Sequence, residues 1–122
     1  MEFNNTQPIF IQIADYICSQ TLQGLYKTES RIPSVRELAI QLEVNPNTVM
    51  RAYERLQNLE IIYNKRGIGY FIAPQALTQI QLLRRRQFIN DTLPAIFKEM
   101  RLLGISISEI EAEYNNFLLN QI

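Results

Sequence analysis

The 122-residue sequence has no histidine and a single cysteine, and it carries neither a glycine-rich phosphate loop nor acids clustered to hold a metal. Those gaps remove the usual general bases, nucleophiles and ligands, so the sequence predicts no catalytic residue, no metal site, no cofactor and no enzyme. Cys18 has no partner for an intramolecular disulfide. It falls among Tyr16, Ile17 and Leu22 in a helical pattern, where a thiol acts as a small buried hydrophobe. No stretch approaches about 18 uncharged apolar residues, and the N-terminus has no cationic segment leading into an apolar core. The expectation is a reducing cytoplasm with no membrane partner. Net charge is missing too: Lys plus Arg and Asp plus Glu are both 12, and the sequence pI is near 6.3. No overall positive field announces nucleic acid, so any basic patch must arise from local placement.

What is present suits one compact domain, or one small domain with a helical appendix, since 47% hydrophobic content over this length can bury a core. Charge is uneven along the chain. Residues 1–23 carry Glu2 and Asp15 and no cation, a net −2. Residues 24–74 carry seven cations (Lys27, Arg31, Arg36, Arg51, Arg55, Lys65, Arg66) against five acids (Glu29, Glu37, Glu43, Glu54, Glu60), a net +2. The remainder balances at five against five.

Three helices and a hairpin follow from local signals. Met1 to Gln7 is polar and expected to be loose. Pro8 opens a helix with Phe10, Ile13, Ala14 and Ile17 on one face, and Gly24 ends it. Arg31-Ile32 suggests a short edge strand. Ser34 and Glu37 have capping-box spacing ahead of Leu38, Ala39 and Leu42. After only Glu43 and Val44, Asn45 caps and Pro46 begins a third helix, buried along Val49, Ala52, Tyr53, Leu56 and Leu59. Two short helices joined so tightly make a helix-turn-helix. Ile61-Ile62-Tyr63 and Tyr70-Phe71-Ile72 then bracket Asn64 to Gly69, a β-hairpin whose tip carries Lys65 and Arg66. A hairpin in this place is a wing.

The polar face of the third helix points to double-stranded DNA. Asn47 can pair with an adenine edge, Thr48 can bond a base or a phosphate and offer its methyl to thymine, and Met50 can supply an apolar contact. Arg36, Arg51, Arg55, Lys65 and Arg66 are the cations placed to meet phosphates, each adding a salt-sensitive term. An ordinary amphipathic helix with a solvated face has the same periodicity, and a basic turn also serves solubility. A winged-helix module that contacts only proteins is therefore the alternative class.

The segments PIFIQIADYI (8–17), IPSVRELA (32–39), VNPNTVMRAYERL (44–56) and KRGIGYFI (65–72) together resemble the DNA-binding domain of the GntR family of bacterial transcription regulators. The NPNTV variant and short tail are most similar to its YtrA-like branch. That resemblance implies a winged helix, a homodimer on a pseudo-palindromic operator, most often as a repressor, and a target such as a neighbouring transporter operon. It also implies DNA contacts at Arg36, Asn47, Thr48 and the backbone of Gly67, with Asn45 and Gly69 in the same two motifs. The chain departs from many relatives at Pro46 and Met50, where arginine is common, and at Glu43 and Glu60, where glycine is common.

Beyond Pro74 the pattern changes. Leu82, Arg86, Ile89, Leu93, Ile96, Met100 and Leu103 step by four and three, a coiled-coil-like seam broken only by Arg86. Pro94 inside it predicts a kink, or two helices with Asp91 or Thr92 capping the second. Gly104 closes the run. Ser106 and Glu109 repeat the capping-box spacing, and Ile107, Ile110, Tyr114, Phe117 and Leu118 give a last helix one apolar side. About 45 residues bury too little to be stable alone, so pairing with a second copy is expected. Apolar space there also leaves room for an unknown small-molecule effector. Arg84, Arg85 and Arg86 point about 100° apart on a helix and form no single patch. The expected fold class is mainly α with a small β-hairpin: a winged helix-turn-helix over residues 1–74, then a helical dimerisation tail over 75–122.

Overall fold

Pro8, which has no N–H to donate, sits at the N-cap of helix α1 (Ile9–Leu22), and its carbonyl takes the amides of Ile11 and Gln12. Helix α1 ends where Gly24 turns to φ 79° and the Leu25 amide reaches back to the Gln20 carbonyl at 2.9 Å. The expected loose N-terminus is corrected by one buried side chain. Gln12 accepts from the Asn4 amide at 3.1 Å and donates to the carbonyls of Asn4 and Gln7 at 2.9 and 2.8 Å. The computed structural model describes residues 1–121.

The capping box of helix α2 (Val35–Leu42) is complete: the Glu37 amide donates to Ser34 Oγ and the Ser34 amide to Glu37 Oε1, both at 3.1 Å. The Ser34 amide first, then the Ser34 hydroxyl, hold the Glu37 carboxyl below the usual carboxylate range. The tight turn is closed by Glu43 in the left-handed conformation, φ 56° and ψ 48°, with the Val44 amide on the Ala39 carbonyl at 3.0 Å. A side chain there costs roughly 1–2 kcal/mol. Glu60 (φ 60°) and Glu29 (φ 63°) adopt the same region.

Helix α3 (Pro46–Asn58) lays Val49, Ala52, Tyr53 and Leu56 against α1 and α2. Strands β1 (Ile62–Lys65) and β2 (Gly69–Ile72) pair antiparallel, Ile62 opposite Ile72 and Lys65 opposite Gly69. The segment before α2 joins the wing. The Glu29 and Ile32 amides donate to the carbonyls of Ile72 and Tyr70, the Ile72 amide donates to Ser30, and Arg31 bridges Phe71. The edge strand expected at Arg31-Ile32 is thus a single bridge with flanking bonds, since Pro33 has no N–H to continue it. Cys18 is buried in this core. Helix α4 (Ala76–Gln87) adds Ala76 and Ile80 to the same core, so the first compact unit runs to Leu83, past the expected boundary at 74.

The second unit begins at Arg84. It contains the end of α4, a π-helical turn (Phe88–Thr92), helix α5 (Leu93–Leu103) and helix α6 (Ile107–Asn120). Of the alternatives expected at Pro94, the second is met in part, since a separate helix α5 starts at Leu93 with Thr92 at its N-cap position. Thr92 is helical (φ −71°, ψ −48°) and makes no side-chain cap. The wide turn instead absorbs the proline, whose ring would strike the carbonyl four residues back and which leaves that carbonyl without an amide. One extra residue rotates the helix beyond it by about 100°, so a three-four repeat does not pass through unchanged. Gly104 (φ 68°) stops α5. At α6 the Glu109 amide donates to Ser106 Oγ at 3.2 Å, but the Glu109 carboxylate meets that hydroxyl rather than the backbone, half of the expected box. Every residue of α6 is exposed. Ile122, the last residue of the expected tail, lies outside the described residues.

Candidate nucleic-acid interface

The first turn of α3 is built by its cap. Asn45 Oδ1 accepts the Asn47 amide at 2.8 Å, and the Asn45 carbonyl takes Thr48 and Val49 at 3.0 and 3.3 Å. Asn45 thereby spends its side-chain oxygen within the chain. Its neighbours face out: Asn47 is exposed, Thr48 half-buried, and Met50 37% exposed. Arg36, in the first turn of α2, is also exposed. The structure therefore places Asn45, Asn47, Thr48 and Met50 at the start of α3 and Arg36 in the first turn of α2, and Arg36 and Pro46 line one depression.

The cations divide into held and free. The Arg51 guanidinium lies 4.2 Å over the Phe10 ring, a cation–π contact that fixes it toward α1. Arg55 is half-buried one turn further along. In the wing, Tyr63 and Phe71 stack across the strands with centroids 5.7 Å apart, and Lys65 Nζ sits 4.5 Å above Phe71. Arg66 stands exposed at the tip. Sequence spacing named these cations without showing that aromatic rings aim two of them. The signal was available: Phe10 lies on the face expected for α1, and Lys65 follows Tyr63 by two, on the same side of a strand.

The two wing glycines serve different purposes. Gly67 takes φ 78° at the third position of a turn closed by the Ile68 amide on the Lys65 carbonyl at 2.9 Å, and a Cβ there would meet nothing. Gly69 takes φ 141°, and a Cβ there would stand 2.9 Å from Arg31 Nε. Arg31 is in turn paired with Glu37 at 3.7 Å. Gly69 thus makes room for Arg31 beneath the wing. Gly67→Ala is expected to cost about 1 kcal/mol, since other residues visit φ 78°, whereas Gly69→Ala, at a φ of 141° that L residues rarely adopt, costs roughly 2–3 kcal/mol, the exposed end of Arg31 moving aside at little cost. Urea unfolding of the two variants checks the order, and equal losses would contradict it.

The wing and α3 meet through one side chain. Tyr53 is fully buried on the inner side of α3, its ring edge-on to Tyr70 of β2 at 4.8 Å and 78°, and its hydroxyl donates to the Pro33 carbonyl. Among the described residues no three His, Cys, Asp or Glu side chains group to hold a metal, and no helix is long and apolar enough to cross a membrane.

Residues 11–72 match the family described as bacterial regulatory proteins, gntR family. An uncharacterized HTH-type transcriptional regulator of Bacillus subtilis, YhcF, is 36% identical over 109 residues, 89% of this chain and 88% of that protein. The HTH-type transcriptional repressor YtrA of the same organism is 31% identical over 106 residues, 87% of this chain and 81% of that one. A crystal structure from Bacteroides thetaiotaomicron, described as a transcriptional regulator of the GntR family, superposes with a TM-score of 0.82 at 50% identity, covering 94% of this chain and all of that one. Motifs, fold and relatives agree: the chain belongs to the GntR family of bacterial transcription regulators, in its YtrA-like branch, and is a DNA-binding helix-turn-helix regulator, not an enzyme.

Proposed function

We propose that the protein is a homodimeric, sequence-specific repressor that acts in the cytoplasm on a pseudo-palindromic operator, with a neighbouring transporter operon as its target. The observation that carries the DNA-reading half is the first turn of α3, with Asn47 exposed and Thr48 half-buried, packed to a basic wing through Tyr53 and Tyr70. Asn47 and Thr48 read base edges in the major groove, and Met50 offers an apolar contact beside them. Arg36, Arg51 and Arg55 bind phosphates, while Lys65, Arg66 and the Gly67 backbone hold the flanking groove. Asn45 and Gly69 act indirectly, one shaping the helix start and the other the wing. The tail supplies the second copy. Leu82, Ile89, Ile96 and Leu103 on α4 to α5, and Ile110, Tyr114 and Phe117 on α6, are all at least 40% exposed in one chain. Leu93 is half-buried beside them, and Arg86 is exposed to pair with an acid of the second subunit. Met100, at 8% exposure, is already covered within one chain and contributes least. In this reading the apolar tail residues form a dimer core rather than an effector pocket, and the division expected at residue 74 shifts to Leu83, where the reading unit ends.

The repressor assignment follows the repressor YtrA, which is 31% identical to this chain over 106 residues. Asn47→Ala is expected to cost roughly 1–3 kcal/mol and to relax preference at one base pair, whereas Arg66→Ala weakens all duplexes alike and lowers the salt slope by about one. Titration of both variants against an operator series decides this. An unchanged ranking of operators with Asn47→Ala would show that Asn47 does not read a base.

A further inference from the structure

Helix α2 carries one residue that the fold does not use. Ile40 is 77% exposed, one turn beyond Arg36, on a helix otherwise polar toward solvent. It is not isolated. Arg36, Ala39, Ile40, Val44 and Pro46 line an open, mostly apolar depression of about 320 Å³. Pro46 is the first residue of α3 and stands between Asn45 and Asn47, so the depression opens at the foot of the base-reading turn.

We propose that this depression reads the 5-methyl group of a thymine in the major groove, making Ile40 and Pro46 specificity-determining residues. The inference rests on the proposed DNA-reading role of the start of α3, and it names a base for that surface. Two observations select this occupant. In a B-form duplex the thymine methyl lies in the major groove close to its own strand's phosphates, and here a mostly apolar lining includes Arg36, a cation suited to a phosphate. The depression also includes Pro46, the residue directly before Asn47, so a duplex seated on Asn47 lies next to it. Positions 46 and 50 on that turn hold proline and methionine, whose side chains offer no N–H or O–H to a base edge. Apolar contact is the recognition chemistry left at those points, and the thymine methyl is the apolar group that distinguishes bases in the major groove.

The test removes that methyl and nothing else. The full-length protein is given a random duplex library, and the enriched operator is resynthesised with deoxyuridine replacing each thymine in turn. One thymine per half-site should respond, with binding weakened roughly fourfold at one half-site and about fifteenfold at both, the worth of burying one methyl at each. Ile40→Gln should bind thymine and deoxyuridine operators equally, and Ile40→Leu should restore the difference. Because Ile40 is exposed, all three proteins should melt together, which excludes misfolding as the cause. If no thymine position responds, or if the response persists in Ile40→Gln, the depression faces something other than a thymine methyl and the inference is wrong, while operator binding still upholds the broader DNA-reading role. Failure of the unaltered protein to enrich any duplex would overturn both.

Discussion

Tyr53→Ala is expected to cost about 3–5 kcal/mol of stability, a large share of the ~5–15 kcal/mol available to a small domain. Tyr53→Phe should cost only about 1–2 kcal/mol. The ring is completely buried between α3 and the wing, edge-on to Tyr70, so alanine leaves a cavity that the surrounding helices cannot fill. Phenylalanine keeps the ring and loses one bond, stranding the Pro33 carbonyl. Burial first, then the neighbouring Tyr26 and Tyr70 hydroxyls, pushes the Tyr53 hydroxyl well above its ordinary pKa, and burial with Tyr16 pushes Tyr26 up to about 12. Raised values mean that the folded state holds these protons more tightly than the unfolded chain. Stability should therefore be flat below about pH 10 and fall above it, with a shallower fall in Tyr53→Phe. Urea titrations from pH 8 to 11 supply both readings. A loss under 1 kcal/mol for Tyr53→Ala would show that α3 and the wing are not joined through this ring.

Features written in short stretches of sequence were legible, and those written in tertiary contacts were not. The Ser34–Glu37 box, the Asn45-Pro46 start and the Val49 to Leu56 stripe each depend on residues within one or two turns, and each stands where its spacing placed it. Glu43 shows a local rule overridden. Glutamate disfavours the left-handed conformation, yet the turn between α2 and α3 is so short that the backbone must adopt it. The Gln12 clamp was invisible because a glutamine within an apolar stripe reads as a surface residue until its three backbone partners are known. The π turn before Pro94 was missed for a related reason: proline announces a break in the α ladder but not which repair the chain will adopt. At the interface, residue type located the cations, but only the rings of Phe10 and Phe71 show that Arg51 and Lys65 are held in place. Ile40 was passed over because periodicity weighs apolar residues by their place in the core, and this one lies outside it.

Phe117→Glu is expected to turn a dimer into a monomer and to weaken operator binding by about 100-fold or more, with affinity for an isolated half-site unchanged. Helix α6 is 14 residues long and wholly exposed, with Ile110 40%, Tyr114 58%, Phe117 57% and Leu118 46% exposed. A helix of that length is marginal in water by itself, and an apolar stripe left uncovered gives it no support. In the proposed dimer the second copy covers the stripe and supplies the missing burial. A carboxylate at its centre cannot be buried unpaired, so association fails before the reading domain is touched. The avidity term then disappears, because two half-sites a helical turn or more apart are no longer held by one particle. Sedimentation should give the dimer mass for the unaltered protein and the monomer mass for Phe117→Glu, together with lost helical circular dichroism from the tail. Tyr53-dependent stability should be the same in both, since that ring lies in the first unit. A Phe117→Glu protein that remains dimeric, or an unaltered protein that sediments as a monomer at micromolar concentration, would show that α6 is not the dimer element.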